Sequence, residues 1–353
     1  MAQLKVALVG GPMYDHLYDQ VADVEVVVHA DHPTLNRRVA ELLAAGERLD
    51  VISTHSKYAP SQRQWLRPLD LDTSPLAPAA VDLCTFRGEV LSVPRCIDVR
   101  VLWSRKAAPT TPSSASVGQA WDELAASDVV FGFPGRESGL FGTFFELVVS
   151  RGGRLFDEDA RPTIDTPEAR WAVETLVALA ARAPSDLPDW HYDEVDAALH
   201  AGRIDAAGVW PGGTADVRDA GDDLRPHPYP GGISYAGCHS WAIPTTCGDV
   251  DGALAYIEAM TGFESSMVDA ENGTVPANVA AFAAVEPEDE IDARRLAITR
   301  DTIATGMITY PPLERFPAVE DAGWQAINDA LRGRADPADV PARIQAAAAA
   351  VLA

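Results

Sequence analysis

Two pairs of side chains invite a catalytic reading, and the spacing brings neither pair together. Cys96 beside a histidine would make a thiol nucleophile and its base, and Asp98 with Glu137 would make an acid and base pair. The chain contains no G-x-S-x-G elbow, no H-E-x-x-H and no phosphate loop. Gly10-Gly11 lacks both the G-x-G-x-x-G spacing and a following Lys-Ser/Thr. The four cysteines, Cys84, Cys96, Cys238 and Cys247, include no C-x-x-C and no Cys/His group at metal-ligand spacing. The expectation is therefore no catalytic residue, no metal and no cofactor. Two disulfides in any of three connectivities are open to four cysteines, as are free thiols. Cys238 and Cys247 flank the stretch around Trp241 and would close a local bridge. What stands out is recognition chemistry: a short apolar strand over 204–210 ends in Trp210, followed by Pro211-Gly212-Gly213. An aromatic is thus presented at a strand's C-terminal end, where open α/β sheets place their ligand crevices.

The elements that position this tryptophan read in order. Asp165-Thr166-Pro167-Glu168 starts a helix, with Asp165 as the N-cap oxygen, Glu168 three residues on and Pro167 in the first turn. Val173, Leu176, Val177 and Ala180 then recur at helical spacing as one buried face. A second helix carries Val195, Ala198 and Leu199 and ends at Gly202. Earlier, an apolar strand over 4–9 breaks at Gly10-Gly11-Pro12, and 13–18 reads as a loop or helix start. A strand over 24–28, a helix over 33–45 with Val39, Leu42 and Leu43 inward and Gly46 past its end, and a strand over 49–54 follow. This β-α-β order implies a parallel sheet with right-handed crossovers. Helices are expected over 250–260, 294–305, 324–331 and 342–352.

At 353 residues the chain suits two domains. Its 52 acidic against 28 basic residues give a formal net charge of −24. Such a polyanion lacks the cationic surface that nucleic acids and anionic membranes require. No apolar run is long enough to span a bilayer.

Several stretches in fixed order resemble family 1 extracellular solute-binding proteins, the type II periplasmic-binding folds that serve ABC importers, mostly for sugars. They are Gly152-Gly153 with Leu155-Phe156-Asp157, then Asp165-Thr166-Pro167-Glu168-Ala169, then Gly202-Arg203-Ile204-Asp205-Ala206-Ala207. Further matches are Gly88 with Val93-Pro94, the Trp121-Asp122-Glu123-Leu124 helix start, Pro226 to Gly232, and Gly273 with Pro276. Leu102-Trp103-Ser104 departs from the family's Y-Y-N, which removes the usual asparagine contact.

The resemblance implies a two-lobed α/β fold with a central ligand cleft and hinge crossovers, the first over 107–116. It implies an N-terminal lobe of 1–107 plus 243–300 and a C-terminal lobe of 108–242 plus 301–353. The ligand contacts it implies are Tyr14, His55, Ser56, Lys57, Tyr58, Asp98, Ser138, Phe141, Thr143, Trp210, Tyr235 and His239. A carboxylate such as Asp98 accepts from two sugar hydroxyls at once, and Trp210, Tyr58 and Tyr235 offer faces to apolar ring surfaces. The function implied is non-enzymatic binding of a carbohydrate or related polyol between lobes that close by hinge motion, by a monomer that docks on ABC permease subunits. Export is implied with it. No signal segment precedes the first strand, so a cytosolic small-molecule sensor, or an enzyme on the same fold, is the alternative.

Overall fold

The computed structural model describes residues 3–11, 14–18, 24–106, 118–221 and 223–353. The expected crossover at 107–116, Pro12 and Met13 lie outside these residues. Two compact units are present: 1–98 with 237–286 and 312–314, and 99–236 with 287–311 and 315–353.

The first unit is built on a five-stranded sheet in the order Val24–Ala30, Leu4–Val9, Val51–His55, Gly237–Ala242, Val93–Asp98. The first three run parallel, as the β-α-β reading requires. Gly237–Ala242 enters antiparallel to both of its neighbours. Val51–His55 and Gly237–Ala242 are buried along their whole length, which accounts for unbroken rather than alternating stretches of buried residues. Helix His32–Ala44 covers one face. Asp31 caps it by accepting from the Thr34 amide at 2.9 Å, and Leu35, Val39 and Leu43 point inward. Leu42 is only partly buried, packed at the margin of that core. Gly46 closes the helix with φ +74°, a left-handed conformation that favours glycine.

The second unit holds a four-stranded sheet in the order Arg225–His227, Val101–Ser104, Ala206–Val209, Phe131–Gly132. A separate parallel pair, Ser234–Tyr235 with Met307–Ile308, belongs to the same unit. Helix Glu137–Ser150 is buried around nearly its whole circumference and forms the unit's centre. Helix Pro167–Ala180 packs on it, capped by Thr166, whose Oγ1 accepts from the Ala169 amide at 3.2 Å. The cap is thus one residue later than Asp165. The buried face is Ala169, Ala172, Val173, Leu176 and Leu179, with Val177 and Ala180 at its edge.

The unit boundaries fall before the positions expected from sequence. Val101–Ser104 pairs with Ala206–Val209 and Arg225–His227, so the chain enters the second unit at residue 99 rather than at 108. Helix Glu290–Asp301 belongs to the second unit too: Arg218 there pairs with Glu288, Asp289 and Asp292 at 2.8–3.4 Å. Among the described residues, no helix is long and apolar enough to cross a membrane.

Candidate functional site

Strand register gathers the candidates of the first unit. His55 lies directly opposite His239, His239 lies opposite Cys96, and Gly237 lies opposite Asp98. Side chains two apart along a strand share a face, so His55, His239 and Asp98 emerge on the same side of the sheet. Gly237 makes room for them. A Cβ there would sit 2.4 Å from His55 Nε2. Asp98 Oδ2 lies 3.1 Å from His239 Nε2 and 3.8 Å from His55 Nε2. All three side chains are buried, and one donor atom from each falls within 4.8 Å of the others.

Two further rings close the group. Tyr14 Oη is 3.1 Å from His239 Nε2, and His32 Nε2 is 2.8 Å from His239 Nδ1. His32 stacks on His239 at 4.7 Å between centroids. Tyr58 packs near the His32 and His55 rings. Ser56 is spent on the backbone: its Oγ accepts from the Cys238 amide at 3.1 Å. The Lys57 amide donates to His55 Nδ1 at 3.2 Å. Burial sets the charges. It lowers the pKa of His32 to about 3 and holds His55 and His239 well below the usual imidazole value. Burial also lifts Asp98 to about 8, against the pull of Arg95. Arg95 itself clamps Asp269 at 2.8 and 2.5 Å and lies over the Tyr14 ring.

In the second unit the candidates form an aromatic cluster. Trp210 meets Tyr192 and Tyr235 edge-on at 5.8 and 6.1 Å, and Tyr235 packs on Tyr310 at 4.6 Å. The Arg100 guanidinium lies 5.2 Å from the Trp210 ring, held by the buried carboxylate of Glu146. Glu146 also accepts from the Tyr235 amide at 2.7 Å. Ser138 Oγ lies 3.5 Å from Tyr192 Oη. Trp210 Nε1 and Tyr310 Oη are buried polar atoms without a hydrogen-bond partner among the described residues.

Phe141 and Thr143 need correcting. Both are 0% exposed. The Phe141 ring packs against Phe144, Tyr310 and Phe316 and fills the space a Cβ on Gly323 would need. Thr143 Oγ1 donates to the Gly139 carbonyl and accepts from Arg100. They face inward because helix Glu137–Ser150 is enclosed on nearly all sides, so their work is packing. Of the residues weighed from sequence for catalysis, Glu137 pairs with Arg136 at 2.7 Å and His191 at 3.4 Å, and the Cys96 thiol lies 3.8 Å from Asp98 Oδ1. The local Cys238–Cys247 bridge is absent. All four cysteines are free thiols, and Cys238 Sγ instead faces Cys84 Sγ at 3.8 Å.

His32, Tyr192 and Tyr310 were not singled out from sequence. His32 is the first residue of a capped helix, and Tyr310 stands before Pro311-Pro312. Both signals mark an element's end but say nothing of the side chain's destination.

No curated protein matches this sequence. Solved structures match over nearly the whole chain. A maltose-bound MalE3 of T. maritima is 20% identical, with a TM-score of 0.83 over 97% of this chain and 98% of that one. A solute-binding protein of an ABC transporter from Thermotoga lettingae, bound with α-D-tagatose, is 18% identical, with a TM-score of 0.84 over 100% of both chains. At these identities the likeness carries the fold, which is the two-lobed periplasmic-binding type. The family model for bacterial extracellular solute-binding protein matches residues 16–293. The sequence motifs, the two α/β units and this match over most of the chain lead to one conclusion: the protein belongs to the bacterial extracellular solute-binding protein family.

Proposed function

We propose that this chain is the binding component of an ABC importer and takes up a carbohydrate or related polyol without turning it over. The reading places it outside the cytoplasm as a monomer that delivers its ligand to permease subunits. The observation that carries it is the aromatic cluster of the second unit, with the unpartnered Trp210 Nε1 and Tyr310 Oη. A sugar ring presents apolar C–H faces and a rim of hydroxyls. Aromatic faces cover the first, and orphaned N–H and O–H groups find partners in the second. Taken by itself, the first unit presents polar atoms of Asp98, Tyr14 and His239 that suit sugar hydroxyls. The maltose and tagatose held by the two structural neighbours support the same ligand class.

A thermal-shift screen of the purified protein tests this, with sugars, polyols, amino acids and organic acids as ligands. A ligand that binds only the native state raises Tm by several degrees at saturation. A shift with sugars, absent in Trp210→Ala, is expected. Shifts confined to acids or amines would overturn the carbohydrate reading, and consumption of the sugar would overturn simple binding.

A further inference from the structure

We propose that the first unit carries a binding site for a divalent transition cation of the zinc class, formed by His55, Asp98 and His239. The proposal goes beyond carbohydrate binding and needs only the first unit.

The donor set is the first argument. Two imidazole nitrogens and one carboxylate oxygen suit zinc and its neighbours far better than magnesium or calcium, which take mainly oxygen ligands. Geometry is the second. The three donor atoms lie within 4.8 Å of one another. Ligands about 2.0–2.2 Å from a zinc ion in tetrahedral array stand roughly 3.3–3.6 Å apart, so side-chain adjustments of about an ångström close the site. Third, Asp98 Oδ2 is fully buried and makes no hydrogen bond, though two imidazole nitrogens lie 3.1 and 3.8 Å away. A buried carboxylate oxygen without a hydrogen bond, facing two ring nitrogens, is a donor set that a cation would satisfy.

The surroundings fit as well. A ligating histidine ordinarily donates its other ring N–H to a neighbour, which fixes its tautomer. His32 Nε2 stands 2.8 Å from His239 Nδ1 and can accept that proton, leaving the His239 Nε2 lone pair for the cation. Tyr14 Oη, 3.1 Å from the same Nε2, donates to that lone pair and turns away when the cation binds. His55 requires a rearrangement. The Lys57 amide donates to its Nδ1, which keeps the ring proton on Nε2. Ligation through Nε2 moves that proton to Nδ1 and breaks the 3.2 Å bond from Lys57, so loading the site reshapes the turn at 56–58. The nearest buried cation, Arg95, is already clamped by Asp269.

The experiment uses the full chain after chelator treatment and dialysis, titrated with Zn²⁺ against a chromogenic chelator and with Co²⁺ under absorption spectroscopy. One equivalent per chain is expected. Co²⁺ should give the visible bands of a four- or five-coordinate nitrogen and oxygen site, without sulfur charge-transfer bands from Cys84, Cys96 or Cys238. Asp98→Asn keeps shape and should weaken binding strongly, His239→Ala should abolish it, and His32→Asn should weaken it about tenfold. Far-ultraviolet circular dichroism of each metal-free variant checks folding. No stoichiometric binding, a thiolate spectrum, or affinity unchanged in both Asp98→Asn and His55→Ala would overturn the site. Sugar shifts are run on metal-free and loaded protein alike, so a failed metal titration leaves the carbohydrate result standing, and the reverse.

Discussion

The two units solve the same problem with opposite materials. Each places a buried arginine behind a candidate ring and pairs that arginine with a buried carboxylate: Arg95 with Asp269 under Tyr14, and Arg100 with Glu146 under Trp210. In front of the clamp the first unit sets imidazoles and a carboxyl, and the second sets indole and phenol rings. The difference follows from the frame. In the first unit the candidates project from paired strands, whose register sets short polar side chains side by side. In the second they come from the start of a helix, the end of a strand and two loop-flanked positions, where only large rings reach one another. The first arrangement suits ligation by short, directional donors, and the second suits contact with an extended apolar face.

The comparison breaks hardest at the clamps. Glu146→Leu leaves Arg100 buried without its partner and should cost about 3–5 kcal/mol of stability, read by urea denaturation. Adding Arg100→Met to it should recover most of the loss, and a double variant no better than the single would show that the pair is not the cause. Asp269→Leu should do the same in the first unit, with loss of the His16 contact at 2.9 Å added.

Next comes the aromatic cluster. Trp210→Ala should weaken carbohydrate binding by about 2 kcal/mol or more, roughly thirtyfold in Kd by calorimetry, as hot-spot aromatics do. Gly237→Ala strikes the histidine group, because its Cβ would meet His55 Cε1 at 2.2 Å. A loss of about 1–3 kcal/mol is expected from this overpacking, measured by thermal denaturation. An unchanged Tm would mean that His55 has room elsewhere.

The smallest effect sharpens the contrast in how the units carry titratable groups. Asp196, in the second unit, is buried near Asp193 and Asp216, and burial raises its pKa from 3.8 to about 8. A folded-state pKa above the unfolded one means the folded form holds its proton longer. The stability this contributes is full below about pH 4 and is lost as pH rises through about 8. Asp196→Asn should therefore match the parent at pH 4 and exceed it modestly at pH 9, in Tm measured across that range. Equal Tm values at pH 9 would show that the carboxylate finds water there.

Much of this was legible in order and pattern. The apolar run at 4–9, the helix after Asp31 and the strand before Val51–His55 rest on local rules, and local rules survive folding. The helix at 167–180 was legible from its repeat, but its buried face was read about one position off. Val177 sits at the edge of that face because the burial is decided by helix Glu137–Ser150, on which the helix packs. Phe141 and Thr143, implied as contacts by the family resemblance, face inward for the same reason: nothing local says that helix Glu137–Ser150 is enclosed.

Composition and the order of elements determined an acidic, two-domain α/β chain without a catalytic motif, and several stretches in fixed order carried its resemblance to solute-binding proteins. Those are properties of stretches, each set by neighbours in the chain. Which residues meet was decided only by the tertiary structure. His55, Asp98 and His239 share no spacing that any motif records, and they converge because Gly237–Ala242 inserts antiparallel between Val51–His55 and Val93–Asp98. Strand pairing joins residues far apart in the chain, and periodicity, which is local, carries no trace of it.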